Sequence, residues 1–204
     1  MKEIWLANEF LKTETKELQK AFTKNSPFPH LLIKDFLKDT QAKKLQTAIE
    51  KESFEKKQSD LFSLSQTQDF ATVENKTLKE FYEFFKSKEL INIISKITGL
   101  KLKSGILDMA GSLYEDTDYL LCHDDQLQGR KIAYIYYLSE NFKEKDGGAL
   151  ALLSDKQGHP EKAVKRYLPI SNSLIMFQVS KNSWHEVEEI LSSKKRHALG
   201  GWFY

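Results

Sequence analysis

Two histidines and one aspartate have the spacing of a metal site. His123 and Asp125 are separated by one residue, and side chains at positions i and i+2 of a β-strand point to the same side. His185 lies 60 residues beyond Asp125, in the stretch Ser183-Trp184-His185-Glu186-Val187, and could supply a third ligand. Two imidazoles and one carboxylate leave three octahedral positions open, which is typical of non-haem Fe(II) oxygenases. The His-x-Asp pair alone is a weak signal, because a solvated polar turn would also contain it.

Arg196 is a candidate anchor for a second ligand beside this metal. Only three of the 31 basic residues are arginines, and arginine binds carboxylates bidentately whereas lysine is a mobile point charge. A turn over residues 192–195 predicts that Arg196 begins an antiparallel strand next to the one that carries His185. A dicarboxylate that chelates the metal at one end needs a cation at its other end. The alternative is a surface charge, because Lys194 and Lys195 precede Arg196.

Tyr137 is a second candidate for the same ligand. It follows Asp125 by 12 residues, on a strand expected next to that of Asp125, and its hydroxyl could donate to the distal carboxylate. Plain core packing is the alternative for Tyr137. Each alternative is reasonable alone, but the metal pattern, Arg196 and Tyr137 together favour an enzyme that binds iron and a dicarboxylate.

The elements that must position these residues change character near residue 101. Upstream, four segments have helical spacing and one apolar run has strand length; downstream, a period of two with β-branched and aromatic residues indicates short strands. The predicted helices are 14–23, 39–52, 77–86 and 89–97, and the predicted strands are 30–36, 132–138, 149–153, 163–168, 174–179, 184–187 and 198–203. This order favours one α+β, mainly β, domain over 1–204, with helical support over about 1–100 and a sandwich or barrel core over about 101–204.

Motifs along nearly the whole chain resemble one family, the 2-oxoglutarate oxygenases of the Tpa/Ofd type, which hydroxylate a proline of a small-subunit ribosomal protein. The resemblance is carried by Tyr114, Leu120 to Asp125, Gly129 to Leu138, Gly147 to Leu150, Phe177 to Val187 and the ending Gly201-Trp202-Phe203. Upstream, the family is similar at Ser59 to Phe62, Gln66 and Asp69, and Pro27 to Leu37 resembles the entry strand of prolyl hydroxylase-like oxygenases generally.

The resemblance implies a double-stranded β-helix (jelly-roll) core buttressed by the N-terminal helices. The implied catalytic and cosubstrate-binding residues are His123, Asp125 and His185 for Fe(II), and Arg196, Tyr137 and Tyr114 for 2-oxoglutarate. The dioxygenase reaction would consume O2 and convert 2-oxoglutarate to succinate and carbon dioxide, with ascorbate as a candidate reductant. The implied partner is a protein with a target proline, a ribosomal protein first and elongation factor Tu second if the source is bacterial. Residues 59–69 and 115–119 are predicted to cover this substrate.

The sequence departs from that family at two points. The family usually has serines after the arginine, whereas this chain has Ala198 and Gly200, so a hydroxyl near the dicarboxylate is expected to be missing. Eukaryotic members also carry a second, non-catalytic oxygenase-like domain, whereas this sequence stops at Tyr204. We expect either a single-domain relative or a piece of a longer protein.

Composition argues against several other classes. The formal net charge of +2 gives no reason to expect a nucleic acid or an acidic membrane as partner, and no aromatic-basic platform for a flipped base is visible. The lone Cys122 cannot form an intrachain disulfide, and the N-terminus resembles neither a signal peptide nor a membrane span. We therefore expect a cytoplasmic protein, or a nuclear one in a eukaryote. The remaining alternative is a non-enzymatic metal-binding barrel that acts as a sensor or interaction domain.

Overall fold

The strands form one curled antiparallel sheet. We describe the protein from a computed structural model, which describes residues 1–127 and 129–204. The strands in these residues are β1 (His30–Ile33), β2 (Glu55–Ser59), β3 (Phe62–Gln66), β4 (Leu107–Tyr114), β5 (Tyr119–His123), β6 (Ile132–Tyr137), β7 (Leu150–Lys156), β8 (His159–Tyr167), β9 (Ser173–Gln178), β10 (His185–Val187) and β11 (Arg196–Phe203). Their neighbours in the sheet follow the order β1-β9-β6-β11-β4-β3-β5-β10-β7-β8, with β2 paired to β3.

Strand β3 joins the two halves of the sheet. Ser65 and Gln66 pair with β4, whereas Phe62 and Ser63 pair with β5. The sheet therefore folds over, so that the half made of β1, β9, β6, β11 and β4 faces the half made of β5, β10, β7 and β8. This is the double-stranded β-helix that the family resemblance implied, and both halves contribute side chains to its interior.

Helices cover the outer face of the first half. They are α1 (Lys2–Trp5), α2 (Asn8–Lys12), α3 (Thr15–Lys24), α4 (Asp39–Ile49), α5 (Lys76–Phe85) and α6 (Lys88–Thr98), with 3-10 turns at Phe70–Thr72 and Glu144–Asp146. The side chains of Asn75 and Ser87 accept backbone N–H groups at the first turns of α5 and α6, and α6 ends at Gly99, whose φ of 74° favours glycine. None of the helices in the described part of the chain has the length and hydrophobicity of a membrane-crossing segment.

Aromatic packing holds the helices against the sheet. The ring of Phe85 on α5 lies 5.2 Å from that of Tyr134 on β6 and 6.2 Å from that of Phe203 on β11. Tyr136 packs against Phe81 on the same side at 5.8 Å. Because side chains alternate along β6, Tyr134 and Tyr136 face the helices while Tyr137 faces the interior of the sheet.

Candidate active site

The two histidines lie opposite each other on neighbouring strands. His123 ends β5 and His185 begins β10, they are paired across these strands, and their ring centroids are 4.1 Å apart. Two residues further, Val187 pairs with Leu120, so two steps along β10 match three along β5. This bulge lets both Leu120 and His123 face the interior, although their positions differ by an odd number.

Asp125 reaches the same point from a turn, not from a strand. The expectation that His123 and Asp125 share one strand is wrong, because β5 ends at His123 and Asp125 has a φ of 61°. Its carboxylate oxygens lie 3.5 Å from Nε2 of His123 and 3.4 Å from Nε2 of His185. Among the described residues, these three are the group of histidine, cysteine and acidic side chains whose ligand atoms all lie within 4.8 Å of one another.

Backbone carbonyl groups orient both imidazole rings. Nδ1 of His123 lies 2.8 Å from the carbonyl oxygen of Leu121, and Nδ1 of His185 lies 2.8 Å from that of Ser183. A carbonyl oxygen can only accept, so each Nδ1 carries the proton and donates. Each Nε2 therefore faces the Asp125 carboxylate, to which it donates when it also carries a proton, and it is the nitrogen that remains available to a metal ion.

The carboxylate of Asp125 is held in its charged form. Burial alone would raise its pKa, but the hydrogen bonds and charge interactions with His123 and His185 outweigh burial and hold this pKa well below the ordinary value. Burial lowers the pKa of His123, yet the interactions with Asp125 prevail and raise that pKa above 6.5. Such mutual stabilisation is typical of a carboxylate and imidazoles placed to share a cation.

Arg196 is a fully buried cation for which the described residues provide no anionic partner. It is 1% exposed, and in the part of the chain that the structure describes its Nε and Nη2 atoms have no hydrogen-bond partner. Burying a guanidinium without compensation costs several kcal/mol, so an anion is expected to complete the site. The alternative interpretation of Arg196, a surface charge, is excluded by this burial.

The strand neighbours of Arg196 differ from those expected. Strand β11 pairs with β4 and β6 in the first half of the sheet, whereas the strand of His185 pairs with β5 and β7 in the second half. The prediction that these two strands are adjacent is therefore wrong, as is the prediction that the strand of Tyr137 lies next to that of Asp125. The side chains of Arg196 and His185 still line one cavity, because the two halves face each other across the interior.

Two tyrosines enclose the guanidinium of Arg196. Its Cζ atom lies 4.9 Å from the ring centre of Tyr114 and 5.1 Å from that of Tyr137. Burial raises the pKa of both phenols, that of Tyr114 to about 12, against the opposing charge of Arg196. Both hydroxyl groups thus stay protonated at neutral pH, and the Tyr137 hydroxyl is buried without a partner among the described residues. It can donate to the same anion as Arg196.

One cavity extends from the His-Asp-His cluster to Arg196 and Tyr114. It has a volume of about 310 Å³ and is lined by the three metal-site residues, by Arg196 and Tyr114, and by apolar side chains that include Phe177. Towards its outer end lies Trp202, whose ring centre is 3.3 Å from Cζ of Arg130. The Nε1 atom of Trp202 is buried and has no hydrogen-bond partner within the described residues.

The arrangement fits a metal ion and a dicarboxylate. The donor set of two Nε2 atoms and one carboxylate suits Fe(II), and the unpartnered groups of Arg196 and Tyr137 suit a carboxylate deeper in the same cavity. A group that chelates the metal at one end and reaches Arg196 at the other would give the buried guanidinium an anionic partner.

Sequence reasoning missed three residues of this site. Ser183 orients His185, Phe177 packs on the His185 ring with centroids 4.5 Å apart, and Trp202 closes the outer end of the cavity. The alternating pattern of β11 gave a usable signal for Trp202, because it has the same parity as Arg196. His30, for which the sequence shows no partner, is buried and hydrogen-bonded to the Tyr167 hydroxyl, outside this site.

Comparison with known proteins gives a family for the site-bearing half of the chain. Residues 109–204 match the model of the 2OG-Fe(II) oxygenase superfamily. The chain is 35% identical over 181 residues to prolyl 3-hydroxylase OGFOD1 of Xenopus laevis, which covers 87% of this chain and 35% of that protein. It is 33% identical over 201 residues to prolyl 3-hydroxylase sudestada1 of Drosophila melanogaster, covering 93% of this chain and 37% of that protein. The chain thus spans about a third of the length of these curated relatives.

Solved structures show the same fold. A prolyl-4-hydroxylase of Pseudomonas putida superposes with a TM-score of 0.72 at 18% identity, covering 91% of this chain and 97% of that one. A prolyl hydroxylase of Trichoplax adhaerens, in complex with a hypoxia inducible factor peptide, superposes with a TM-score of 0.73 at 17% identity, covering 97% and 93%. The buried Arg196 beside a His-Asp-His cluster therefore lies in a 2OG-Fe(II) oxygenase domain, homologous to the OGFOD1 prolyl 3-hydroxylases.

Proposed function

We propose that this protein is an Fe(II)- and 2-oxoglutarate-dependent prolyl hydroxylase that acts on another protein. One observation carries the proposal: a His-Asp-His cluster shares one cavity with a buried guanidinium whose Nε and Nη2 atoms find no partner among the residues that the structure describes. In this proposal His123, Asp125 and His185 ligate Fe(II). Arg196 and Tyr137 bind the distal carboxylate of 2-oxoglutarate, with Tyr114 beside them.

The residues of the chain divide the work between the two ends of the cavity. The charged inner end orients the cosubstrate, and the apolar walls around Phe177 and Leu150 exclude water from the metal. Once bound, Fe(II) and 2-oxoglutarate supply the oxidation, in which O2 is consumed, succinate and carbon dioxide form, and the substrate gains a hydroxyl group. The outer end beside Trp202 and Arg130 takes the target proline.

The substrate class follows from similarity. The relatives named prolyl 3-hydroxylases support attack at carbon 3 of proline, and the motif resemblance to the ribosomal-protein hydroxylases supports a small-subunit ribosomal protein as substrate. With that substrate we also propose a cytoplasmic location, or a nuclear one in a eukaryote, and ascorbate as the reductant that keeps the iron ferrous.

Succinate formation tests the activity. The protein is incubated with Fe(II), 2-oxoglutarate, O2 and prolyl peptides from small-subunit ribosomal proteins, and both succinate and a mass gain of one oxygen are measured. His123→Ala and Asp125→Ala should abolish both signals, whereas His159→Ala, which changes an exposed histidine, should not. Turnover that survives both ligand substitutions would refute the metal assignment. Amino-acid analysis of the product then separates 3-hydroxyproline from 4-hydroxyproline.

A further inference from the structure

The inner face of β11 offers no hydroxyl group between Arg196 and Trp202. The residues that face the cavity between them are Ala198 and Gly200, which carry a methyl group and a hydrogen atom. A carboxylate has about four lone-pair positions, and a bidentate arginine and one tyrosine fill three of them. A further side-chain donor for an anion at Arg196 would come from a neighbouring strand, and on β4 both Tyr114 and Ser112 line the cavity.

Ser112 on β4 is placed to be that donor. It is the Cα partner of Ala198, and Tyr137 is the partner of Ala198 on the opposite side. Ser112 and Tyr137 thus flank Ala198 in one row across three strands, with both side chains turned to the interior. The Cζ atom of Arg196 lies 5.1 Å from the Tyr137 ring centre, which brings the guanidinium towards this row.

The Ser112 hydroxyl is available for a new bond. Its only contact within hydrogen-bond distance, among the described residues, is the carbonyl oxygen of Ala198 at 3.5 Å. That distance is at the outer limit for an O–H donor, whose usual range ends near 3.0 Å, so little is lost when the hydroxyl turns away. The neighbouring Ser65 on β3, in contrast, pairs with Leu113 and faces away from the cavity.

We propose that Ser112 donates a hydrogen bond to the distal carboxylate of 2-oxoglutarate, alongside Arg196 and Tyr137. Ser112 is then a binding residue that replaces, from β4, a hydroxyl that β11 does not provide. This inference rests on the proposed function, because it requires the dicarboxylate to lie with its far end at Arg196.

Binding measurements with two oxoacids test this role. Protein loaded with Mn(II) in the absence of O2 is titrated by calorimetry with 2-oxoglutarate and with 2-oxobutanoate, which keeps the chelating end but lacks the distal carboxylate. Ser112→Ala should weaken 2-oxoglutarate binding about tenfold and change 2-oxobutanoate binding by less than about twofold. Ser65→Ala, the matched control, should leave both affinities unchanged.

The outcomes separate this inference from the proposed function. Equal effects of Ser112→Ala on both oxoacids, or no effect on either, would overturn the role of Ser112. Arg196→Ala serves as the reference: if it leaves 2-oxoglutarate binding intact, the proposed cosubstrate site itself is wrong. If Arg196→Ala weakens binding and Ser112→Ala does not, only the assignment of Ser112 is overturned.

Discussion

Ser183 fixes the orientation of His185, because its carbonyl oxygen accepts the Nδ1 hydrogen of that ring at 2.8 Å. The same residue also reaches the turn that carries Asp125. Its fully buried hydroxyl has one hydrogen, which is shared between the carbonyl oxygens of Ser180 at 2.7 Å and Asp124 at 3.0 Å, and its oxygen accepts the N–H of Ser180 at 2.9 Å. Ser183 thus connects the turn that carries Asp125 to the segment that leads into His185 and β10. It is not itself one of the three candidate metal ligands.

The first prediction concerns Ser183→Ala, which removes the hydroxyl and keeps the carbonyl. The turn at Asp124 loses its tie to β10, so Asp125 is held less firmly, and affinity for Mn(II) or Fe(II) should fall about tenfold. Metal titration followed by calorimetry checks this. Ser154→Ala, which removes an exposed hydroxyl on β7, is the control and should bind metal like the unmodified protein. Unchanged affinity in Ser183→Ala would show that the tie does not position Asp125.

The site residues were more predictable than the strands that carry them. The types and spacing of His123, Asp125, His185 and Arg196 indicated a metal and a dicarboxylate because few other chemistries use that set. Spacing along the chain does not reveal which strands pair, so Arg196 was predicted beside β10, whereas it lies in the opposite half of the sheet. The alternation along β6, in contrast, is visible in the sequence and places Tyr134 and Tyr137 on opposite faces, as the structure has them.

Weak local signals explain what the sequence did not reveal. The hairpin of β2 and β3 was not predicted because β2 reads Glu-Lys-Lys-Gln-Ser and is an exposed outer strand, with no apolar alternation. Helices α1 and α2 have four and five residues, too short for a helical period to show. Ser183 orients His185 through a backbone carbonyl group, which every residue type has, so the sequence could not indicate this role.

The second prediction is that Arg196 lowers the free energy of unfolding, although it is required for binding 2-oxoglutarate. Arg196→Met replaces a buried cation that has no anionic partner in the described part of the chain by an apolar side chain of similar length. The free energy of unfolding without cosubstrate should rise by about 1–3 kcal/mol, and 2-oxoglutarate binding should be lost. Urea unfolding and calorimetry measure the two effects.

A surface arginine provides the contrast for that experiment. Arg166 forms ion pairs with Glu144 and Glu188 at the surface, so Arg166→Met should change the free energy of unfolding by at most about 1 kcal/mol and leave binding intact. If Arg196→Met is instead less stable than the unmodified protein, then the guanidinium is already compensated within the fold and an anion is not needed.

The third prediction concerns Asp118, which ties the β2–β3 hairpin to the turn before β5. This carboxylate is 1% exposed, accepts the Ser63 hydroxyl at 2.6 Å and the Glu115 N–H at 3.0 Å, and pairs with Lys56. In Asp118→Asn, an amide N–H replaces one carboxylate oxygen and faces a group that now donates to that oxygen. The free energy of unfolding at pH 7 should therefore fall by about 2 kcal/mol. Asp116→Asn, an exposed neighbour on the same turn, should have little effect.

The pH dependence of this loss has a definite sign. Burial alone would raise the pKa of Asp118, but its hydrogen bonds with Lys56, Ser63 and Glu115 hold this pKa below the ordinary 3.8. A lowered pKa in the folded state contributes stability that is present above pH 3.8 and is lost as pH falls through the folded value. The difference in unfolding free energy between unmodified protein and Asp118→Asn should therefore stay constant above pH 5 and shrink below about 3.8. A difference that grows on acidification would contradict this account.

The fourth prediction concerns the side-chain hydrogen bond between β1 and β8, which are the first and last strands in the sheet order. His30 on β1 donates from Nδ1 to the Phe28 carbonyl at 2.7 Å, so its Nε2 accepts the hydroxyl of Tyr167 on β8, also at 2.7 Å. This side-chain bond joins the two ends of the strand order, which share no backbone pairing in the described residues. His30→Gln should lower the free energy of unfolding at pH 7.5 by about 1–3 kcal/mol.

Acidification should weaken the hydrogen bond between His30 and Tyr167. Burial is the main reason that the pKa of His30 lies below its ordinary 6.5, and the charge of Lys165 adds to the effect against the opposing bond to Phe28. The unfolded chain therefore takes up the proton first, so the contribution of His30 to stability is complete above pH 6.5 and decreases as pH falls from 6.5 through the folded value. Urea unfolding from pH 8 to pH 5 should show the stability advantage of the unmodified protein over His30→Gln shrinking across that interval. An advantage independent of pH would mean that His30 is no more costly to protonate in the fold than in the unfolded chain.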